Sequence, residues 1–188
     1  MGPFAVVQSV VDRLHSEFRQ LIEELGNTQI SLRTTLEEVF QKSLLLAAAS
    51  YFERRVKEDI IDFMYRTSGN VDLVSEFIRN KAVERQYHTF FQWEARNANA
   101  FFGLFGEEFK NYMAQTVSND QAYQEAILAF LELGRERNRL VHQDFGAFPL
   151  EKTTDEIFDL YRKALTFVDH LQSHFEAYVE SRRSSSDQ

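Results

Sequence analysis

Three residues whose side chains could transfer protons or bind an anion lie close together in the sequence: Arg137, Asn138 and His142. The imidazole of histidine has an unperturbed pKa of about 6.5, so it can accept or donate a proton near neutral pH. A guanidinium stays charged and can hold two phosphate oxygens through paired N–H donors. The amide of Asn138 can orient the histidine or donate to a phosphate oxygen. These residue types could therefore combine proton transfer with the binding of an anionic group.

The segment that carries these residues, 120–141, has the apolar period of an α-helix. At about 100° per residue, its buried stripe consists of Tyr123, Ile127, Phe130, Gly134 and Val141. Arg137 falls in the same stripe, where a guanidinium without a partner loses its hydration at a high cost. Gly134, one turn earlier, allows another backbone or a ligand to approach closely. Arg137 therefore either pairs with a carboxylate or caps a neighbouring helix, or it binds a ligand.

One geometric difficulty concerns the spacing of the two candidate catalytic residues. Arg137 and His142 lie about 140° apart on an ideal helix, so they cannot share one face of it. The helix must loosen near His142, as the loop over 143–152 allows, or the two residues must meet across a dimer.

The segment Arg137-Asn138-Arg139-Leu140-Val141-His142 resembles the R-N-x-x-x-H signature of the HEPN superfamily, the higher eukaryote and prokaryote nucleotide-binding domains. The segment 44–53, LLLAAASYFE, is similar to the long second helix of the RiboL-PSP and related HEPN groups. The resemblance covers the chain from about residue 34 to residue 180.

The resemblance implies a metal-independent endoribonuclease in which the 2′-OH of RNA is the nucleophile. It assigns Arg137 and His142 as the catalytic pair and Asn138 as their polar assistant. Glu53 matches an acidic position of the second helix that can pair with the motif arginine, although a solvated charge is an equal alternative. The resemblance also implies a homodimer in which two motifs face each other and supply two histidines for the two proton transfers. Many HEPN proteins are toxins or effectors in toxin–antitoxin, restriction or CRISPR systems, so we expect a role in stress response or phage defence, controlled by an antitoxin or sensor protein.

A basic and aromatic segment, 79–96, is the candidate RNA-binding surface, because aromatic rings stack on bases and cations hold the backbone. The RNA-binding candidates are Arg79, Lys81, Arg85, His88 and Trp93 in this segment, with Arg139 beside the motif. The alternative is a packed subdomain with a solvated rim.

Composition limits the other functional classes. The net charge of −8 means that a nucleic-acid site must be a local basic patch on an acidic body. The absence of cysteine excludes disulfides and thiolate chemistry and favours a reducing cytoplasm. No apolar run reaches about 18 residues and no secretory signal is present, so we expect no membrane partner. We also expect no cofactor and no metal, because the His170 and His174 pair has no third ligand.

The periodicity predicts an all-α protein, an HEPN-like helical bundle with long antiparallel helices, in one domain over residues 1–188. Helices are expected over 5–25, from 34–35 to about 66, over 71–80, within 96–117, over 120–141 and from 153 onward as one long helix. Capping boxes are predicted at Thr34-Thr35 with Glu37 and Glu38, and at Thr153 with Glu156. The polar, serine-rich tail 182–188 is expected to be disordered.

Two other functional classes compete with the ribonuclease. The chain can be a non-catalytic HEPN-like module that binds a nucleotide or a partner, or a helical interaction protein in which Arg137 only ties helices together. A carboxylate of the same chain paired with Arg137 would favour the last of these classes.

Overall fold

The computed structural model describes residues 8–26 and 29–186, and every regular element in these ranges is helical. The α-helices are α1 (Val10–Leu25), α2 (Ile30–Thr67), α3 (Asp72–Ile78), α4 (Tyr87–Phe90), α5 (Asn99–Gly103), α6 (Glu107–Ser118), α7 (Gln121–Val141), α8 (Thr154–Asp169) and α9 (Leu171–Ser186). A π-helical turn over Arg79–Val83 follows α3. The predicted all-α class is confirmed.

The core forms where the 38-residue helix α2 packs against α7 and α8. Phe52 of α2 lies 5.6 Å from the ring of Phe130 on α7 and 5.4 Å from that of Tyr161 on α8. Phe130 in turn lies 4.9 Å from Phe167 of α8. Each such aromatic pair contributes about 0.5–1.5 kcal/mol beyond the burial of its area, so these rings fix α7 relative to α2.

Helix starts follow the local side-chain chemistry. The predicted box at Thr153 and Glu156 is confirmed, and it begins α8. Asp120 caps α7 by accepting a hydrogen bond from the Tyr123 amide at 2.9 Å. A box between Ser9 and Asp12 begins α1, so this helix starts later than the predicted residue 5; residues 5–7 lie outside the described residues.

The predicted start of the second helix is wrong. Helix α2 begins at Ile30, and no side chain caps it. The hydroxyls of Thr34 and Thr35 donate instead to the carbonyls of Ile30 and Ser31, at 3.1 and 3.2 Å, inside the helix. A threonine side chain can make either an N-cap or this i−4 bond, so the capping signal alone misplaced the helix start.

The long final helix predicted from the sequence is two helices, which meet at His170. The ring of His170 lies 2.7 Å from the Thr166 carbonyl, and the Ser173 hydroxyl donates to the His170 carbonyl at 2.8 Å. These side-chain bonds compete with the main-chain ladder at the junction. The predicted disordered tail is helical as far as Ser186, and its Arg182 pairs with Glu108 at 2.9 Å.

A carboxyl on α2 is expected to make stability depend on pH. Burial raises the pKa of Asp59 to about 6, against the opposing effect of Arg55. Because this pKa exceeds the usual 3.8, the folded state binds the proton more tightly, and stability falls as the pH rises from about 4 to about 6. Asp59→Asn is expected to raise the free energy of unfolding by about 1 kcal/mol at pH 7, after allowance for solvent screening, and by less at pH 4. Urea melts at both pH values check this, and an equal gain at both would contradict it.

Candidate active site

A cavity of about 520 Å³ opens between α2, the segment 85–93 and the C-terminal half of α7. Its volume lies in the range of about 300–1,000 Å³ that is typical of ligand pockets. It is lined by Ala49, Phe52, Glu53, Arg85, Tyr87, His88, Trp93, Phe130, Leu133, Gly134, Arg137, Asn138, Val141 and His142. The three candidate catalytic residues therefore share one cavity within a single chain.

The end of α7 explains how Arg137 and His142 reach the same cavity. The helix ends at Val141, and His142 is its C-cap, with φ −95° and ψ 3°. The His142 amide donates to the Asn138 carbonyl at 3.3 Å. His142 thus keeps the helical amide bond but departs from helical φ and ψ, and both side chains line the one cavity.

Arg137 has a polar neighbour but no ion-pair partner among the described residues. Its Nη1 donates to Oδ1 of Asn138 at 3.1 Å. The other arginines nearby on α7 differ: Arg139 and Arg135 lie 3.1 and 3.6 Å from the carboxylate of Glu136. Glu136 is only 8% exposed, so it is the structural ion-pair centre of this helix. Arg137 is left with its charge directed to the cavity.

Glu53 shares the cavity with Arg137 but pairs elsewhere. Its Oε1 lies 3.4 Å from Nζ of Lys57, one turn along α2. Glu53 also lines a second groove of about 400 Å³, together with Lys57, Arg79 and Glu84. Glu53 therefore stands where the cavity and this groove meet, rather than neutralising the motif arginine.

Trp93 forms one wall of the cavity by packing onto Gly134. A Cβ atom placed on Gly134 would lie only 1.9 Å from Cζ3 of Trp93. A close approach at Gly134 does occur, but the group that approaches is the indole side chain of Trp93 and not the backbone or ligand that the sequence predicted. The ring also lies 5.1 Å from that of Phe91 and 5.9 Å from that of Phe130. Its buried Nε1 has no hydrogen-bond partner within residues 8–26 and 29–186.

The segment before Trp93 places further polar groups at the cavity. Arg85 has a φ of 66°, a left-handed conformation that costs a non-glycine residue about 1–3 kcal/mol. Burial raises the pKa of the Tyr87 hydroxyl, and the nearby Glu53 raises it further, while Arg137 opposes both. Tyr87 therefore stays protonated near neutral pH and presents a hydrogen-bond donor close to Arg137.

The profile of the RiboL-PSP-HEPN family matches residues 12–180. The chain belongs to this family. No curated protein and no solved structure matches it. Because the HEPN match spans α1 to α9, it includes every helix that lines the cavity.

The RNA-binding residues predicted for this HEPN domain fall into two groups. Arg85, His88 and Trp93 line the cavity. Arg79 pairs with Glu76 at 3.1 Å and faces the neighbouring groove. Lys81 and Arg139 do not line the cavity, and Arg139 lies over the ring of Phe148, 5.7 Å from its centroid.

The described part of this HEPN domain contains no cluster of side chains that could bind a metal ion. No group of three histidine, aspartate or glutamate side chains there is arranged to hold a metal ion. His170 and His174 have ring centroids 6.4 Å apart. Within residues 8–26 and 29–186, no helix is both long and apolar enough to cross a membrane.

Proposed function

We propose that this HEPN protein is a metal-independent endoribonuclease that cleaves RNA by attack of the 2′-OH. The observation that carries the proposal is the shared cavity of Arg137, Asn138 and His142, in which Arg137 has no carboxylate partner among the described residues. A guanidinium free of carboxylate partners at a ligand-sized cavity is suited to an anionic ligand such as a phosphodiester.

Each residue has a role in that reaction. Arg137 holds two non-bridging phosphate oxygens and stabilises the charge that develops on them. Asn138 positions Arg137 by accepting its Nη1–H at 3.1 Å. His142 transfers a proton at the reacting oxygens. Attack of the 2′-oxygen on phosphorus expels the 5′-oxygen, so the products are a 2′,3′-cyclic phosphate and a 5′-hydroxyl.

The biological setting belongs to the same proposal. A nuclease that cleaves RNA without an external cofactor harms its own cell unless it is controlled. We therefore propose that it acts as a toxin or effector in stress response or phage defence, with an antitoxin or sensor protein as partner.

Cleavage is expected in the presence of EDTA. Purified protein incubated with total RNA should produce fragments that end in 2′,3′-cyclic phosphate at an unchanged rate when divalent metals are chelated, because His142 and Arg137 supply the acid–base and electrostatic functions. Gel electrophoresis and end-group analysis measure this. Activity that is lost with EDTA and returns with Mg²⁺ would contradict the mechanism. Tight RNA binding without any cleavage would favour the binding-module alternative.

We also propose a homodimer with Arg137 and His142 of each chain near the two-fold axis. Exposed apolar side chains close to His142 in the sequence, Val141 at 44% and Phe145 at 43%, offer a surface that a second copy can cover. Light scattering at micromolar concentration should give twice the chain mass, and Phe145→Ser should shift the equilibrium toward monomer. A purely monomeric wild-type protein would contradict this arrangement.

A further inference from the structure

The five histidines of the chain differ in what surrounds their rings. His15 lies 2.9 Å from a carboxylate, and His170 lies 2.7 Å from a main-chain carbonyl. The ring of His174 packs 4.8 Å from a tyrosine ring. In the ranges that the structure describes, His88 and His142 have no side-chain hydrogen bond, ion pair or ring contact. These two exposed histidines line the same cavity.

The position of His88 is fixed by its neighbours rather than by bonds of its own. Tyr87 anchors helix α4, because its ring lies 6.1, 5.8 and 6.0 Å from those of Phe90, Phe91 and Trp93. Successive residues of a helix are rotated by about 100° about its axis, so the His88 side chain lies on a different face of α4 from the Tyr87 ring. The aromatic cluster thus holds the backbone while the imidazole stays free at the cavity.

We propose that His88 is the second proton-transfer residue of this site, acting with His142 of the same chain. The proposal rests on the ribonuclease function proposed above. One neutral imidazole takes the 2′-OH proton as the 2′-oxygen–phosphorus bond forms. The other, protonated imidazole gives its proton to the 5′-oxygen as the phosphorus–5′-oxygen bond breaks. The two imidazoles end with exchanged protonation states, which water restores.

This arrangement has a consequence for the dimer. The two proton transfers need two titratable groups, and the resemblance takes the second from a partner chain. With His88 at the cavity, a single chain holds both groups together with the phosphate-binding Arg137. The partner's histidine is then not required for either transfer.

The test compares His88→Gln, His142→Gln and a matched control, His170→Gln, whose histidine is exposed but outside the cavity. The rate kcat/KM for a short fluorescent RNA is measured between about pH 5 and pH 9. Wild type and control should give the same bell-shaped profile. In each cavity variant kcat/KM should fall by about 10²–10⁴-fold, and each variant should lose a different limb of the bell-shaped pH profile. The affinity of each variant for a non-cleavable 2′-deoxy oligonucleotide, measured by the fluorescence of Trp93, should be nearly the same as that of wild type.

A substrate with sulfur at the bridging 5′ position sharpens the test. A thiolate leaves without a proton, so this substrate bypasses the general acid. It should restore cleavage to one of the two cavity variants and not to the other, which also assigns the acid. Restoration of both variants or of neither overturns the proposal.

The remaining outcomes separate this proposal from the ribonuclease function. If His88→Gln keeps wild-type activity, or loses activity with both limbs intact, the role of His88 is wrong while an inactive His142→Gln protein still supports the nuclease. If His142→Gln is fully active, the proposed function itself fails. Adding excess inactive His142→Gln protein to wild type should leave the activity unchanged, and loss of activity would mean that the partner supplies the second histidine.

Discussion

Replacement of His142 by alanine is expected to lower the rate of RNA cleavage by about 10²–10⁴-fold, which is roughly 3–5 kcal/mol of activation barrier. The free energy of unfolding should change by no more than about 0.5 kcal/mol. The physical reason is that the exposed imidazole makes no side-chain hydrogen bond, ion pair or ring contact within the described residues, and the hydrogen bond that closes α7 is made by the main-chain amide. Alanine keeps that amide, so only chemistry is lost.

Cleavage assays and thermal melts on the same preparation measure both quantities. Gln143→Ala is a matched control, because Gln143 is the next residue, is also exposed and does not line the cavity. It should retain wild-type activity and stability. A fully active His142→Ala protein would remove the catalytic assignment, and a strongly destabilised one would show that the histidine packs more than this geometry indicates.

The side of the cavity that α7 forms could be predicted from the sequence, because the apolar period of one helix determines it. The apolar period predicts a helix over 120–141, and α7 spans Gln121–Val141. The period also put Gly134 and Arg137 in one stripe. The predicted stripe is wrong at its end, where Val141 is exposed and lines the cavity instead of the core.

The opposite wall of the cavity could not be predicted because no local pattern encodes it. Helix α4 has four residues, too few to show a period, and it follows a π-helical turn and the left-handed Arg85. Composition grouped His88 with Arg79 and Lys81 as one basic surface. The aromatic contacts of Tyr87 instead place His88 opposite α7, and such long-range packing is visible only in the folded chain.

The ion-pair partner of Glu53 was equally hard to predict from the sequence. The resemblance allowed Glu53 to pair with Arg137, but Lys57 lies one turn along the same helix and takes that carboxylate. An i,i+4 pair requires no further ordering of the chain, so it forms more readily than a contact between helices. The result matters for function, since a neutralised Arg137 would bind a phosphate less tightly.

Arg137→Ala is expected to weaken RNA binding more than His142→Ala does, and to lower cleavage by at least about 10²-fold, because it removes the charge that holds the phosphate. Arg137→Lys should recover part of the binding but little of the activity, since an ammonium keeps the charge and lacks the planar pair of donors. Binding to a 2′-deoxy oligonucleotide and cleavage of RNA, measured on the same proteins, separate these effects. Arg135→Ala is the matched control on the same helix, because Arg135 pairs with Glu136 outside the cavity.

The free energy of unfolding of Arg137→Ala distinguishes a phosphate-binding role of Arg137 from a structural one. The guanidinium makes one side-chain hydrogen bond, to Asn138, and no ion pair within residues 8–26 and 29–186. Its removal should therefore change the free energy of unfolding by no more than about 1 kcal/mol, the net contribution of one such bond. An arginine that ties helices together would behave differently: Arg137→Ala would melt much earlier while His142→Ala melted like wild type. Because both variants alter the same cavity, an equal loss of cleavage with unequal melting would assign packing to Arg137, and an equal loss with unchanged melting would assign chemistry to both.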